Sequence, residues 1–547
     1  MNCNMADLIL PQQVLQAGNR PLANFDICEA TPLYDLKTGT NLEAVSLRLS
    51  VYSSFYNLTV DISESIVAQI LAAFPACKIF SPSKRDLIDN HILTLATSHA
   101  SNHGLFCGTF GLNRLPNGTW IFVAGNEILG DCGSYLVMPH SRLLTIRLAG
   151  ERVDNISYAA ARIIREIEAN VDVILPAFSY TLLCSVRSQI NELGLTTFPV
   201  LYISGQQGFG KTMLSSRYCL LYDMVTPPSV PFGNLDACST DKGILKELSK
   251  CRDMVILVDD LADGSSPTIK EERQEHIAKA LRFVANGNVR KTASTHSGST
   301  VFSCQSGIAF TGEFSLTAAS DLSRLIEVRL THPMRSGSPT DRETIANVFR
   351  AWMIWLLPHL DAELSALKNQ LNSISGNYEA RLETAKILLL WSTELFFRFT
   401  QEAGIVDQGY YQSAVNTASR IFEKLLAMQA EKIRCIQNNV PLGNLSWYIL
   451  QGYRKGAFHV VPRESITCDE DCVVEKDSLC IRTGTLLGFL RATGNYPTLS
   501  DKRMVRTLNE EGVLEFCSEK RYAKKKIHGK RYLELSFAAL QCAAKRY

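Results

Sequence analysis

Eight consecutive residues, Gly205-Gln206-Gln207-Gly208-Phe209-Gly210-Lys211-Thr212, constrain this chain more than any other stretch. The apolar run Val200-Leu201-Tyr202-Ile203 before them predicts a buried strand. Met213 to Tyr222 after them predicts a helix. Between strand and helix, the glycines let the backbone curl until successive N–H groups face one anion. The helix N-terminus adds the positive end of its dipole. The spacing G-x-x-x-x-G-K-T is that of a nucleotide phosphate loop. Gly205 to Met213 are therefore expected to bind ATP, with Lys211 reaching the β and γ phosphates and the Thr212 hydroxyl binding Mg²⁺. A glycine-rich turn that binds nothing would leave the Lys-Thr pair unexplained.

A second apolar run, Met254-Val255-Ile256-Leu257-Val258, predicts another buried parallel strand, and it ends in Asp259-Asp260. At the tip of a strand beside the loop, Asp259 is placed to hold the Mg²⁺ shell. Asp260 is placed to orient or deprotonate the attacking water, with Asp263 as a substitute.

Composition narrows the class without choosing a function. The chain has 547 residues, 46% hydrophobic and 20% charged, with a net charge of +2. This is globular composition without a global basic field, so any nucleic-acid surface must be local. The 16 cysteines are scattered without paired C-x-x-C motifs, and the first twenty residues do not read as a secretory signal. A reduced, cytoplasmic protein is expected. The apolar stretch around Ile387–Trp391 is interrupted by Glu394, short of the about 20 residues a membrane span needs.

Four domains are expected. Residues 1–190 predict an N-terminal α/β domain, including a strand over Ala44–Val51 and a hairpin turning at Pro116-Asn117-Gly118. Residues 191–335 predict the nucleotide domain, a doubly wound α/β sheet with strands at 200–203, 254–258 and 302–310. A polar hairpin carrying Arg290, Lys291 and His296 precedes the third strand. Residues 336–444 predict a helical domain. Residues 445–547 predict two helices and then strands 513–516 and 532–535 around a basic loop. That loop holds Lys520, Arg521, Lys524, Lys525, Lys526, Lys530 and Arg531 against one acid, Glu519. Helix–turn–helix followed by a basic wing is the layout of a winged helix, and clustered like charges repel unless an anion such as DNA meets them.

Taken in order, these pieces resemble the helicase-like ATPases of bacterial mobile elements, typified by the cassette chromosome helicases. These are related to AAA+ replicative helicases of the minichromosome-maintenance kind and to superfamily III helicases. The matching residues are the loop at 205–212, Asp259-Asp260, Asn286-Gly287 and Thr311-Gly312-Glu313. Ser323-Arg324 before Ile326-Glu327-Val328-Arg329, the segment Gly104 to Gly130 and the C-terminal winged helix match as well. The resemblance implies an AAA+ core with a helical lid, assembling as a homo-hexameric ring on DNA. By that likeness Thr311 is a sensor that touches the γ-phosphate or its water, and Arg324 is an arginine finger for the neighbouring subunit. Arg381 becomes a candidate lid sensor. Arg290 and Lys291 would grip single-stranded DNA in the channel, and the wing would bind duplex.

The function so implied is an ATP-dependent DNA helicase or translocase for replication of a mobile element. Two other readings remain open at this point. One is an AAA+ switch or loader that assembles on DNA without unwinding it. The other is a P-loop protein that uses nucleotide only to oligomerise.

Overall fold

The computed structural model describes residues 15–544, apart from 18–19, 37, 52–53, 99–103, 141–142, 154, 196, 226–229, 237–238, 240, 262–266, 287–289, 295–297, 303, 314–315, 317, 332, 335–338, 373, 375–377, 438–444, 467–471, 494–495, 497–498 and 515–523. Its main apolar side chains gather in three clusters, spanning 15–96, 105–433 and 445–543.

The first cluster fills an N-terminal sheet. Strands Phe25–Asp35, Leu42–Val51 and Ser54–Asp61 run antiparallel, and Gly104–Cys107 and Val137–Pro139 extend the sheet in parallel. Val45, Leu47, Leu49 and Val51 are buried in alternation, as the two-residue period of a half-buried strand requires.

The large cluster surrounds a five-stranded, wholly parallel sheet. Its strands are β1 (Val200–Gly205), β2 (Asn234–Asp236), β3 (Arg252–Leu261), β4 (Gln305–Gly312) and β5 (Leu325–Leu330). They lie in the order β2-β3-β4-β1-β5. The central strands are apolar throughout because helices cover both faces. The buried helix Val171–Cys184 lies against this sheet, and its Tyr180 hydroxyl donates to Ile308 O of β4 at 2.9 Å. The helices Arg342–Leu356, Tyr378–Glu402 and Gln408–Gln437 continue the same core.

The hairpin expected around Pro116-Asn117-Gly118 is present as Gly111–Arg114 and Trp120–Ala124. One buried carboxylate ties it to the sheet. Asp253, at the start of β3, accepts from Leu112 N–H at 2.9 Å, Ser188 N–H at 2.6 Å and Ser188 Oγ at 2.8 Å. Burial nonetheless pushes its pKa up to about 6.

The third cluster packs helices Leu445–Arg454, Thr483–Ala492 and Asp501–Glu510 on one face of a four-stranded sheet. That sheet runs Val473–Glu475, Ser478–Ile481, Lys530–Ser536, Lys524–Ile527. Two of its strands differ from expectation. Of the strand predicted at 513–516, Leu514 makes a single bridge to Leu535, and 515–516 lie outside the described residues. Lys524–Ile527, predicted as loop, forms a hairpin arm with Lys530–Ser536. His528 and Gly529, both at positive φ (45° and 78°), close it in a two-residue turn of the kind that matches strand twist. Among the described residues, no helix is long and apolar enough to cross a membrane.

Candidate functional site

The phosphate loop leaves β1 at Gly205 and turns through Gly208 (φ 79°) and Gly210 (φ 94°), conformations that glycine adopts without strain. The helix then begins at Lys211, two residues earlier than predicted, and ends at Tyr218. No side chain caps its N-terminus. Its first N–H groups therefore remain for an anion. Lys211 is buried, and its Nζ donates to Gly205 O at 2.9 Å and Gln206 O at 3.0 Å.

The acidic pair approaches from β3. Sequence spacing put that strand beside the loop, but β4 intervenes, pairing with β1 through Ile203–Thr311 and with β3 through Val258–Phe310. Strand order is set by long-range packing, which local spacing does not encode. The insertion puts Thr311 between loop and acids. Its hydroxyl, fully buried, donates to Asp259 Oδ1 and accepts from Asp260 N–H at 3.0 Å. Thr212 Oγ1 reaches the same Asp259 Oδ1 at 3.2 Å. Asp260 is held at φ 64°, a strained conformation for a residue with a side chain, and it is exposed. Loop, hydroxyl and both acids thus converge. Thr311 engages Asp259 and the Asp260 backbone directly, whereas the resemblance implied contact with the γ-phosphate or its water. Asp263 lies outside the described residues.

A hydroxyl beside a carboxylate is a donor set of hard oxygens, which suits Mg²⁺. The uncapped helix end and Lys211 suit phosphates. A cavity of about 1010 Å³ lies between β5 and the helix Gln408–Gln437, with Leu330, Thr331, Met334, Val171 and Leu425 in its wall, and its lining includes neither the phosphate loop nor the acidic pair. Met334 N–H meets Phe209 O at 3.4 Å. The residues present fit a magnesium–nucleotide complex.

Arg324 stands elsewhere. It precedes β5, where its carbonyl accepts from Val200 N–H at 3.0 Å, so it lies at the end of the sheet opposite the loop. Six residues of strand separate the two ends, roughly 20 Å. Its Nε donates to Asn286 Oδ1 at 3.2 Å and its Nη1 to Ser320 O. Arg381 lies at the same end, with Nη1 3.1 Å from Ser323 Oγ. This corrects the lid-sensor assignment: Arg381 faces away from its own chain's loop. Arg282 occupies the nearby Asp321 in a fork of 2.8 and 3.0 Å. Burial first, and then Arg381, pull the pKa of Arg324 down. An arginine so placed is relieved by an incoming anion.

Of the polar hairpin, strands Arg290–Ser294 and Gly298–Phe302 are formed and pair antiparallel. The side chains of Arg290 and Lys291, and all of His296, lie outside the described residues.

The basic wing needs a correction. Lys525 is not a free cation: its Nζ lies 2.7 Å from Glu475 Oε2 and 2.6 Å from Glu534 Oε1, and these acids raise its pKa. Glu519 is therefore not the sole counter-charge. Lys526 and Arg531 are exposed and directly opposite one another. Lys530 is half-buried, the side chain of Lys524 is outside the described part, and so are Lys520 and Arg521 altogether. Sequence reasoning missed Lys502 and Arg506, exposed on the helix Asp501–Glu510 opposite buried Met504, Val505 and Leu508, with Arg506 paired to the exposed Glu510 at 2.8 Å. The amphipathic period that identified the apolar face also located this polar one.

No family model and no curated protein matches this sequence. Among solved structures, that of SCCmec type IV Cch, named an active helicase, matches 95% of this chain and 96% of its own at a TM-score of 0.50 and 12% identity. A JCV helicase with a bound small molecule matches 53% of this chain and 74% of its own, with TM-score 0.20 and 12% identity. The apo NrS-1 C-terminal region matches 93% and 96%, with TM-score 0.26 and 8% identity. The last two likenesses are too slight to argue from. The resemblance to the cassette chromosome helicases thus has a structural counterpart: this chain has the fold of the Cch helicase over nearly the full length of both.

Proposed function

We propose that this chain is an ATP-hydrolysing DNA helicase of the AAA+ kind, working as a ring, a hexamer by its resemblance, in replication of a mobile genetic element. The observation that carries the proposal is the division of charge between the two ends of one sheet. Lys211, Thr212, Asp259 and Asp260 gather at one end, and Arg324 with Arg381 at the other. A single chain holds half a site at each end, and a head-to-tail ring joins them.

In that ring Lys211 and the loop N–H groups bind the phosphates. Thr212 and Asp259 hold Mg²⁺. Asp260 orients the attacking water and accepts its proton. Thr311, by its bonds to Asp259 and the Asp260 backbone, positions both acids. Arg324 and Arg381 of one subunit face the next subunit's phosphates. Bound Mg²⁺–ATP supplies the phosphoanhydride whose cleavage drives movement, with the metal offsetting charge on the phosphates. The 290–302 hairpin grips single-stranded DNA. The C-terminal unit acts as a winged helix, presenting Lys502, Arg506, Lys526 and Arg531 to duplex phosphates.

A forked-DNA assay with ATP tests the proposal. ATP-dependent strand displacement is expected, with turnover stimulated by DNA. DNA-stimulated turnover without displacement would favour the switch or loader. Turnover indifferent to DNA, with no DNA affinity, would leave only nucleotide-driven oligomerisation.

A further inference from the structure

The hairpin and Arg324 emerge at the same end of the sheet, and the side chain of the last residue of the helix before the hairpin meets Arg324. The helix Pro267–Asn286 runs toward the hairpin, which occupies the interval before β4. Its last turn is fixed from outside. Arg187, fully buried, donates Nη2 to Val284 O at 2.6 Å and Nη1 to Ser306 O, so it grips the chain on both sides of the hairpin. Its guanidinium lies over the Phe198 ring at 4.3 Å, and Phe198 N–H donates to Ala285 O at 2.8 Å. Asn286 is the last residue of this anchored helix, four positions before Arg290. Its Oδ1 accepts from Arg324 Nε at 3.2 Å.

The chemistry of that acceptor matters. An amide oxygen orients a guanidinium without neutralising it. A carboxylate there would compete with a phosphate for the same charge. Arg324 needs such a guide because Arg381 beside it repels it and Arg282 occupies the nearby Asp321.

We propose that Asn286 is a positioning residue that couples the 290–302 hairpin to Arg324. When the hairpin engages a strand, Asn286 at its root aims Arg324 at the neighbouring subunit's nucleotide. The coupling rests on the ring reading above, and it adds the route by which DNA stimulates turnover in trans. Asn286 acts on the site of the next subunit, not on its own.

The test uses the full chain with a single-stranded oligonucleotide. In Asn286→Ala, DNA-stimulated kcat should fall about ten-fold, the scale of one lost hydrogen bond to a charged group. The KM for ATP and the oligonucleotide affinity should move less than about two-fold, well under the 1.4 kcal/mol that a ten-fold change represents. Mixing these subunits with Lys211→Ala subunits should lift stimulated turnover above that of either parent, because an intact Asn286–Arg324 pair then faces an intact loop. Arg324→Ala mixed with Lys211→Ala is the control for the ring reading, and if that mixture fails in proven mixed rings, both ideas fall. If the control recovers while the Asn286→Ala mixture does not, Asn286 acts within its own subunit and the coupling is wrong. Wild-type stimulation in Asn286→Ala overturns it as well. Asn286→Asp, nearly isosteric, guards against a folding defect: it should keep its melting temperature and still lose stimulation, because its carboxylate holds Arg324 back. Full stimulation in that variant would also contradict the coupling.

Discussion

The two ends of the parallel sheet are built from opposite materials. At the loop end, β4 carries a buried threonine between a lysine-bearing loop and two aspartates, and hydroxyl–carboxylate bonds tie loop to acid. At the other end, Arg324 lies near Arg381 and Arg282, and Arg282 holds Asp321 in a fork. At the first end Lys211 and Asp259 have hydrogen-bond partners within the chain, whereas at the second Arg324 bonds an amide and a carbonyl oxygen and makes no carboxylate pair among the described residues. A fold tolerates a half-buried, carboxylate-free arginine when function supplies the missing anion. On the proposed reading, the contrast means that each end supplies half of a catalytic site.

The largest effect expected at the loop end comes from Lys211→Ala, which should abolish ATP turnover with the fold retained. Lys211, though buried, is held by the Gly205 and Gln206 carbonyls of its own loop, so its loss disturbs the loop before the apolar core. Arg324→Ala should lose about a thousand-fold in kcat with ATP affinity unchanged, as an arginine finger's removal does. A loss of ATP affinity equal to the loss of kcat would make Arg324 a binding residue and blur the contrast. Asp260→Asn should bind ATP and lower hydrolysis by about a hundred-fold, the scale of a general base. Normal hydrolysis there would move the base elsewhere, Asp263 first.

How much of this was legible follows from range. The loop, its strand and a strand ending in Asp259-Asp260 are local patterns and are present, though the acidic strand lies one place further from β1 than spacing put it. The intrusion of β4, and hence the place of Thr311, depends on strand order, which no local period carries. Arg381 was misplaced for the same reason: a helix can be read from its stripe, but not the end of the sheet it will visit. In the wing, charge was read along the chain. Glu475 reaches Lys525 from the strand Val473–Glu475, which sequence reasoning did not find.

The wing allows the contrast between partnered and unpartnered cations to be sharpened on a second surface. Replacing Lys526 and Arg531 with Ala should weaken duplex binding and flatten its salt slope by about 0.9 for each phosphate no longer neutralised. Lys525→Ala should instead lower the melting temperature, leaving Glu475 and Glu534 facing each other, with the salt slope unchanged. A salt titration of duplex affinity beside thermal melts separates the two. Equal slopes for wild type and the double variant would make the wing a solvated hairpin.

The smallest effect concerns Asp253, the internal acid that fastens the 111–124 hairpin to β3. Its folded pKa, about 6, lies above the ordinary aspartate value of 3.8, so the folded state holds the proton more tightly. Its contribution is therefore full below 3.8 and lost as pH rises through about 6. Compared with Asp253→Asn, the wild type should gain about 2 to 3 kcal/mol of stability as pH falls from about 6 to about 4. Denaturant melts of the two proteins across that range check it; a constant difference would mean that Asp253 stays charged when folded.

The central claim, that the two ends meet across a subunit boundary, is tested most directly by mixing Lys211→Ala with Arg324→Ala subunits and measuring ATP turnover against mixing ratio. Each variant alone should be inactive. Mixtures should recover activity, greatest near equal proportions, because an intact Arg324 from one subunit then faces an intact loop on its neighbour. No recovery at any ratio, in rings shown to contain both subunits, would contradict the account and leave Arg324 a structural residue.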